Sequence, residues 1–238
     1  MNQINIQYHK TKIGELALGS FDEKLCLLDF RFRKMRTAVD SRIRKGLNAE
    51  YVEQNDDVIE KTRKQIDEYL NGDRNGFDVP IVVVGTEFQK TVWNALMKVP
   101  YGVTSTYSQL AKDINNEKAI RAVASANGAN SIGLIIPCHR IIESNGDLGG
   151  YGGGLAVKKR LLKLEQSNNT LSDDEKYEFI GSKDTRYDSL FFTAVKTTGI
   201  FCLPSCPAKK PNRENVVFYR SREDASRKGY RACKVCKP

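Results

Sequence analysis

The residues of this 238-residue chain best suited to chemistry at neutral pH are six cysteines and two histidines. In IIPCHRII, residues 135–142, four isoleucines frame Pro137, Cys138, His139 and Arg140. An apolar run of this length reads as a buried strand. A proline inside it cannot donate to a ladder, and a chain accepts such a break where a site requires it. Cys138 is therefore a candidate nucleophile. Adjacent side chains of a strand point to opposite faces, so His139 does not touch the Cys138 sulfur. Either Pro137 distorts the strand or a water relays the proton. An acid is needed to orient the imidazole, and Glu165, at the end of the helix that follows, is the candidate. Cys26, in KLCLLDF without such neighbours, reads as an inert buried thiol. His9, in the polar start of the chain, reads as a surface residue.

The other four cysteines form two close pairs, Cys202-x3-Cys206 and Cys233-x2-Cys236, separated by 26 residues. This spacing matches a four-thiolate zinc site, each turn presenting two sulfurs to one ion. The alternative is two disulfides. The start MNQINIQYHKTKIGE shows no signal peptide and no run is apolar enough to span a bilayer, so the expected location is the cytoplasm, or the nucleus of a eukaryote. Disulfides are rare there. Thr197, Thr198, Arg213, Arg220, Arg222, Arg231 and Lys234 lie near the pairs in sequence. Zinc-bound thiolates stay nucleophilic at neutral pH, and basic side chains bring phosphate close. Spacing makes chemistry possible there without establishing it.

These residues need elements to hold them. INIQYHKTKIGELALGSF and KLCLLDFRF alternate like strands, with Gly19 and Ser20 near a turn. Residues 56–70 have helical spacing at Ile59, Ile66 and Leu70 and stop at Asn71-Gly72. VPIVVV, residues 79–84, reads as a buried strand. From Thr86, a capping residue, the period turns helical through Phe88, Val92, Trp93 and Leu96. TYSQLAKDI and EKAIRAVASANG, joined by Asn115-Asn116, predict a helix-turn-helix. After IIPCHRII come a glycine-rich stretch and a helix, LAVKKRLLKLE. The expected architecture mixes α and β, as α+β or α/β: an N-terminal α/β domain with a small sheet over 1–85, a helical domain over 86–166, a polar linker over 167–183 and a small zinc-stapled domain over 184–238. The net charge is +9, with 0 over residues 1–86, +4 over 87–165, −2 over 166–183 and +7 over 184–238. A neutral head before two basic segments points to a polyanion partner.

FQKTVWNALMKVPYGVTSTYSQLA, RAVASANGAN, IIPCHRII and GYGGGLAVKKRLLKLE together resemble the O6-alkylguanine-DNA alkyltransferases, densely from Phe88 to Glu165. The tail from Tyr187 to Pro238, with AVKTTGIFCLPSC and GYRACKVCKP, resembles the zinc domain of the bacterial adaptive-response protein Ada. The first resemblance implies an irreversible alkyl transfer from O6-alkylguanine, and from O4-alkylthymine, to Cys138 in double-stranded DNA. His139 would deprotonate the thiol through a water, with Glu165 holding the imidazole. Tyr107 would press on a phosphate and donate to the leaving guanine. Arg121 would fill the gap left by the flipped base, and the helix-turn-helix would lie in the minor groove. Asn130 would brace the thiol turn. Tyr151 and Gly152 to Gly154, Gly153 among them, would line the pocket, and Arg140 would face DNA. The second resemblance implies one zinc ion on Cys202, Cys206, Cys233 and Cys236. Cys202 would also accept a methyl from DNA methylphosphotriesters, and Arg231 would address the backbone.

Two departures matter. The zinc segment follows the alkyltransferase segment here and precedes it in Ada, so transcriptional control is not implied. Leu203 and Ala232 stand where Ada-like domains often carry an arginine and a proline. The expected protein is a monomeric, two-site suicide repair enzyme. The alternative is repair at Cys138 alone, with the zinc domain as a DNA-binding or methylation-sensing module. An inactive DNA-binding relative would lack the cysteine. A cysteine hydrolase would need an oxyanion hole and a histidine bonded to its thiol.

Overall fold

In the computed structural model, which describes residues 2–168, 171–188 and 190–238, the first alternating stretch is two strands. β1 (Asn2–Thr11) and β2 (Gly14–Phe21) pair antiparallel, turning at Lys12-Ile13. β3 (Lys24–Phe30) pairs antiparallel with β2. The β2–β3 turn is at Asp22-Glu23, both at positive φ (48° and 57°), the backbone twist a two-residue hairpin prefers. Gly19 and Ser20 lie inside β2, where the register shifts. After α1 (Arg36–Leu47), β4 (Ala49–Glu53) joins β1 in parallel, giving the order β3-β2-β1-β4. No side chain caps the start of α1.

α2 (Asp57–Asn71) starts where the Asp56 carboxylate accepts from the Ile59 amide at 2.9 Å. It ends at Gly72, whose φ of 89° favours glycine. VPIVVV is not a strand: only its start runs along β3, through Leu25 N to Pro80 O (2.8 Å) and Val82 N to Leu25 O (2.9 Å). Pro80 has no amide to extend the ladder. α3 (Glu87–Met97) opens with a capping box between Thr86 and Gln89, worth about 1 kcal/mol. A two-residue strand β5 (Ser105–Thr106) precedes α4 (Tyr107–Asp113), and a 3-10 turn at Glu117–Ala119 leads into α5 (Ile120–Gly128). β6 (Ile141–Ile142) pairs in parallel with β5, and α6 (Leu155–Asn168) closes the segment.

One core runs through the head and the helical segment. Leu16, Leu18, Leu28, Ile59 and Tyr69 pack in the same cluster as Val92, Trp93, Leu96, Leu110, Val123 and Leu161. The opposite face of the head sheet buries Ile4, Ala17, Cys26 and Leu27 against Val39 and Ile43 of α1. Cys26 is inert there: burial pushes its thiol up to about 12, and it donates to Gly19 O. The chain divides into two compact units, one holding residues up to Tyr101 with Ser105–Ser167, the other Gly102–Thr104 with Asn168–Pro238. The expected domains 1–85 and 86–166 thus fall in one unit.

The stretch expected as a linker, 167–183, contains α7 (Asp173–Glu178), capped by Ser172, followed by the buried Ile180. Its polar composition belongs to the exposed face of a helix. Beyond it, β7 (Phe192–Val195), β8 (Ile200–Cys202), β9 (Val216–Tyr219) and β10 (Arg231–Ala232) form a sheet in the order β10-β8-β7-β9. α8 (Arg222–Arg227) buries Ala225 with Ala194 and Phe201. Among the described residues no helix is long and apolar enough to cross a membrane.

Candidate active site and metal centre

Cys138, His139 and Arg140 form a single 3-10 turn, and the strand expected over IIPCHRII begins only at Ile141. The preceding loop curls too tightly for a ladder: Ile136 N donates to Ile132 O at 3.0 Å and Cys138 N to Ile136 O at 2.8 Å. Leu134 sits at φ 65°, a strained conformation for a branched residue. Two devices hold this loop. Leu28 of β3 brackets it, its N donating to Ser131 O (2.8 Å) and its O accepting from Gly133 N (2.7 Å). Asn130 braces it from inside, Nδ2 donating to Ile136 O at 2.8 Å and Oδ1 accepting from Ile132 N at 2.9 Å. Burial pushes the Cys138 thiol up, and a hydrogen bond from the Asn130 side chain opposes this, aided by the charges of Arg33 and Lys158.

His139 is fully buried, with Nε2 2.7 Å from Glu165 Oε1. Glu165 is held ionised: burial raises its pKa, but His139 and Arg140 lower it further, to well below the ordinary carboxylate range. An ionised carboxylate only accepts, so Nε2 carries the proton and Nδ1 is an acceptor. Nδ1 is buried and has no hydrogen-bond partner among the described residues. Burial also holds the imidazole pKa below its ordinary value, so the ring is a neutral base at pH 7.

Arg140 departs from its expected place. It is buried, with Nε 2.9 Å from Glu165 Oε2, Nη2 3.0 Å from Oε1 and Nη1 donating to Val99 O at 2.6 Å. It backs the carboxylate and does not face solvent. Tyr107, Cys138 and Tyr151 line one cleft of about 350 Å³, with Phe30, Arg33 and Met35 of the head on its other wall. That size falls within the range of small-ligand sites. Tyr151 stands edge-on to Phe30 and to His139. A Cβ at Gly153 would lie 2.4 Å from the Phe30 ring, so only glycine allows this wall. Burial raises the Tyr107 hydroxyl, keeping it a donor. Arg121 is exposed on the first turn of α5.

Three residues escaped the sequence reading. Lys158 is fully buried, and its Nζ donates to Ile141 O and Leu148 O, tying β6 to the glycine-rich loop. Its place on the apolar face with Leu161, Leu162 and Glu165 was a readable signal. Arg33 donates from Nη1 to Asn130 O at 2.8 Å and from Nη2 to Gly128 O, with Asp29 Oδ2 2.8 Å from its Nη1. Tyr69 donates to Glu165 Oε1. The last two come from the head, far away in sequence.

In the other unit, β8 and β10 run in parallel with Phe201 opposite Ala232, which places both cysteine pairs at one end of the sheet. The sulfurs of Cys202, Cys206, Cys233 and Cys236 all lie within 4.8 Å of one another. Tetrahedral zinc with ordinary zinc–sulfur bonds needs sulfurs ~3.8 Å apart, so the cluster fits one ion. Four thiols this close cannot all ionise without a cation, and a soft four-sulfur set selects zinc over hard ions. Cys206 and Cys233 are buried, and Cys202 and Cys236 half-buried. The Val235 amide donates to Cys233 Sγ and the Leu203 amide to Cys236 Sγ, both at 3.4 Å. Among the described residues no backbone amide donates to Cys202. Arg231 is exposed on β10.

Residues 4–83 match the 6-O-methylguanine DNA methyltransferase ribonuclease-like domain, and residues 87–167 the DNA binding domain of the same family. Residues 175–238 match the metal binding domain of Ada. A methylated-DNA–protein-cysteine methyltransferase of Methanosarcina acetivorans is 42% identical over 159 residues, covering 66% of this chain and 96% of the relative. The inducible methylated-DNA–protein-cysteine methyltransferase of Bacillus subtilis is 45% identical over 130 residues, 55% of this chain and 73% of the relative. The crystal structure of Mycobacterium tuberculosis OGT in complex with DNA superposes with a TM-score of 0.59 at 34% identity, over 70% of this chain and 94% of that one.

Proposed function

The chain belongs to the 6-O-methylguanine DNA methyltransferase family, and from that premise we propose that it repairs alkylated double-stranded DNA by moving alkyl groups onto two of its own cysteines. The observation that carries the first site is the alignment behind Cys138. Glu165 fixes the imidazole, and the imidazole presents a buried acceptor nitrogen.

The Cys138 proton passes to His139 Nδ1 through one water, leaving a thiolate. The sulfur attacks the alkyl carbon of an extruded O6-alkylguanine in line with the carbon–oxygen bond. A carbon–sulfur bond forms, the carbon–O6 bond breaks, and the electron pair leaves with the guanine. Tyr107, kept protonated by burial, donates a hydrogen bond to that leaving base. Arg121, exposed at the start of α5, fills the gap in the duplex. The thioether is stable, so each molecule reacts once.

At the second site Cys202 takes a methyl from a methylphosphotriester: sulfur–carbon forms, carbon–oxygen breaks, and a phosphodiester anion leaves. Zinc, when bound, keeps the thiols ionised at neutral pH. Cys206 and Cys233 are shielded by burial, and Cys233 and Cys236 have amide hydrogen bonds that draw charge from sulfur. Cys202 is half-exposed without such a bond, so it is the nucleophile of the four. Arg231 supplies phosphate contact nearby.

Peptide mass spectrometry of the zinc-loaded protein tests both sites, after reaction with a duplex carrying one O6-methylguanine and, separately, one carrying methylphosphotriesters. The expected result is a methyl on Cys138 from the first and on Cys202 from the second. No methyl on Cys138 defeats the first assignment. No methyl on Cys202 leaves the C-terminal unit as a zinc-stapled DNA-binding module.

A further inference from the structure

Tyr69 lies in α2 of the head, yet its side chain ends at the centre of the site. The residue is fully buried, its hydroxyl donates to Glu165 Oε1, and the oxygen is 3.5 Å from His139 Nε2. Its ring packs between Phe77 and Tyr101, with centroids at 5.1 Å and 5.9 Å. The apolar contacts alone would accept phenylalanine. A buried hydroxyl is costly unless it is bonded, and here the partner is the carboxylate that orients the base. We propose that Tyr69 is a positioning residue of the Cys138–His139–Glu165 relay, supplied by the head, which fixes Glu165 and through it the His139 ring. This inference rests on the reading of Cys138 as the alkyl acceptor.

The geometry explains why a third donor is useful. Arg140 approaches both oxygens of Glu165, 2.9 Å from Oε2 and 3.0 Å from Oε1. Left to that pull, the carboxylate would turn towards the guanidinium and away from the imidazole. Tyr69 adds a donor on Oε1 from a different element, α2, which opposes that rotation. It stays a donor across the neutral range, because burial and the Glu165 charge push its hydroxyl well above its ordinary value. A neutral donor on Oε1 also draws negative charge from the atom that faces His139. The other groups that bear on His139 are Arg140 and Lys158, which disfavour its cationic form, and the edge-on Tyr151 ring. Removing the hydroxyl leaves these in place and lets Glu165 stabilise an imidazolium more strongly.

The test is Tyr69→Phe in the full-length, zinc-loaded protein, which keeps the ring contacts. Single-turnover methyl transfer from an O6-methylguanine duplex is followed from pH 5.5 to 9, alone and in a Glu165→Gln background. The expected result is a plateau rate lower by about tenfold, the scale of one hydrogen bond to a charged group. The acid limb should move to higher pH, and the loss should shrink to less than about twofold when Glu165 is already Gln. A profile that superimposes on the unaltered protein overturns the proposal. So does an equal loss in both backgrounds, since packing alone would give that. Failure of the unaltered protein to methylate Cys138 in the same series would overturn the functional reading itself.

Discussion

Glu165 and His139 are both fully buried: burial keeps the imidazole neutral against the pull of Glu165, while His139 and Arg140 keep the carboxylate ionised against burial. The depressed carboxylate contributes stability that is present above its unfolded value near 4.5 and is lost as pH falls towards its folded value. The imidazole is also depressed, so the unfolded chain binds a proton more readily below about 6.5, and acid again favours unfolding. Both effects have the same sign. The melting temperature of the first unit should therefore fall in two stages, beginning near pH 6.5 and steepening below pH 4.5. Calorimetry across that range checks it, and Glu165→Gln should flatten the lower stage. Lys158 gives a second expectation. Lys158→Met leaves the buried Ile141 O and the part-buried Leu148 O without their donor, at a cost of about 2 kcal/mol in denaturant unfolding. The mutant should also transfer methyl more slowly, because β6 and the glycine-rich loop lose their tie. Cys138 and His139 were legible because a proline breaks the apolar run that holds them, and Glu165 because it ends the helix that follows. Lys158 was less legible, since its neighbours in KKRLLK include the exposed cations Lys159, Arg160 and Lys163, although it stands three residues before Leu161 and seven before Glu165 on one helical face.

α5 shows how elements share the work. The carbonyls at its C-terminus and just beyond, where the helix dipole is negative, are met by side chains from elsewhere. Trp93 Nε1 donates to Ala126 O, Arg33 to Gly128 O and Asn130 O, and Arg42 to Ala129 O. Cations at a helix C-terminus are stabilising, and buried ones more so. Asp29 is nearly buried against Arg33, so losing either partner strands the other. Arg33→Ala and Asp29→Ala should each cost about 3 kcal/mol, and the double variant much less than the sum, as a double-mutant cycle in urea would show. Transfer to Cys138 should slow in step, since Asn130 braces the thiol loop. Local grammar foretold α2, α3 and the pair α4–α5, whose periodicity and breakers lie within a few residues. It failed where partners are distant. VPIVVV had strand composition but only β3 beside it, and IIPCHRII curled because Leu28 and Asn130 hold its loop.

At the scale of the whole chain, the two units use different sources of stability. The first has a large core spanning the head and the helices, while the second has two small apolar clusters and gathers four thiols. Removing zinc with a chelator at pH 7 should unfold the second unit and leave methyl transfer to Cys138 within about twofold. Circular dichroism and the peptide assay together check both halves. Acid should release the metal as well, because protons compete for the sulfurs. The charge pattern foretold a polyanion partner, and the cysteine spacing foretold the zinc cluster. The resemblance placed the head beside the helices, but which head residues serve the site was not legible, because Phe30, Arg33 and Tyr69 are ordinary residues until the fold brings them to the thiol, its supporting loop and Glu165. This sharing gives the protein a use as a split reporter. A cut between Gly72 and Thr86 would divide it into two pieces, neither with a complete site, and the alkylation of Cys138 would then record, permanently and in one molecule, that the pieces had met.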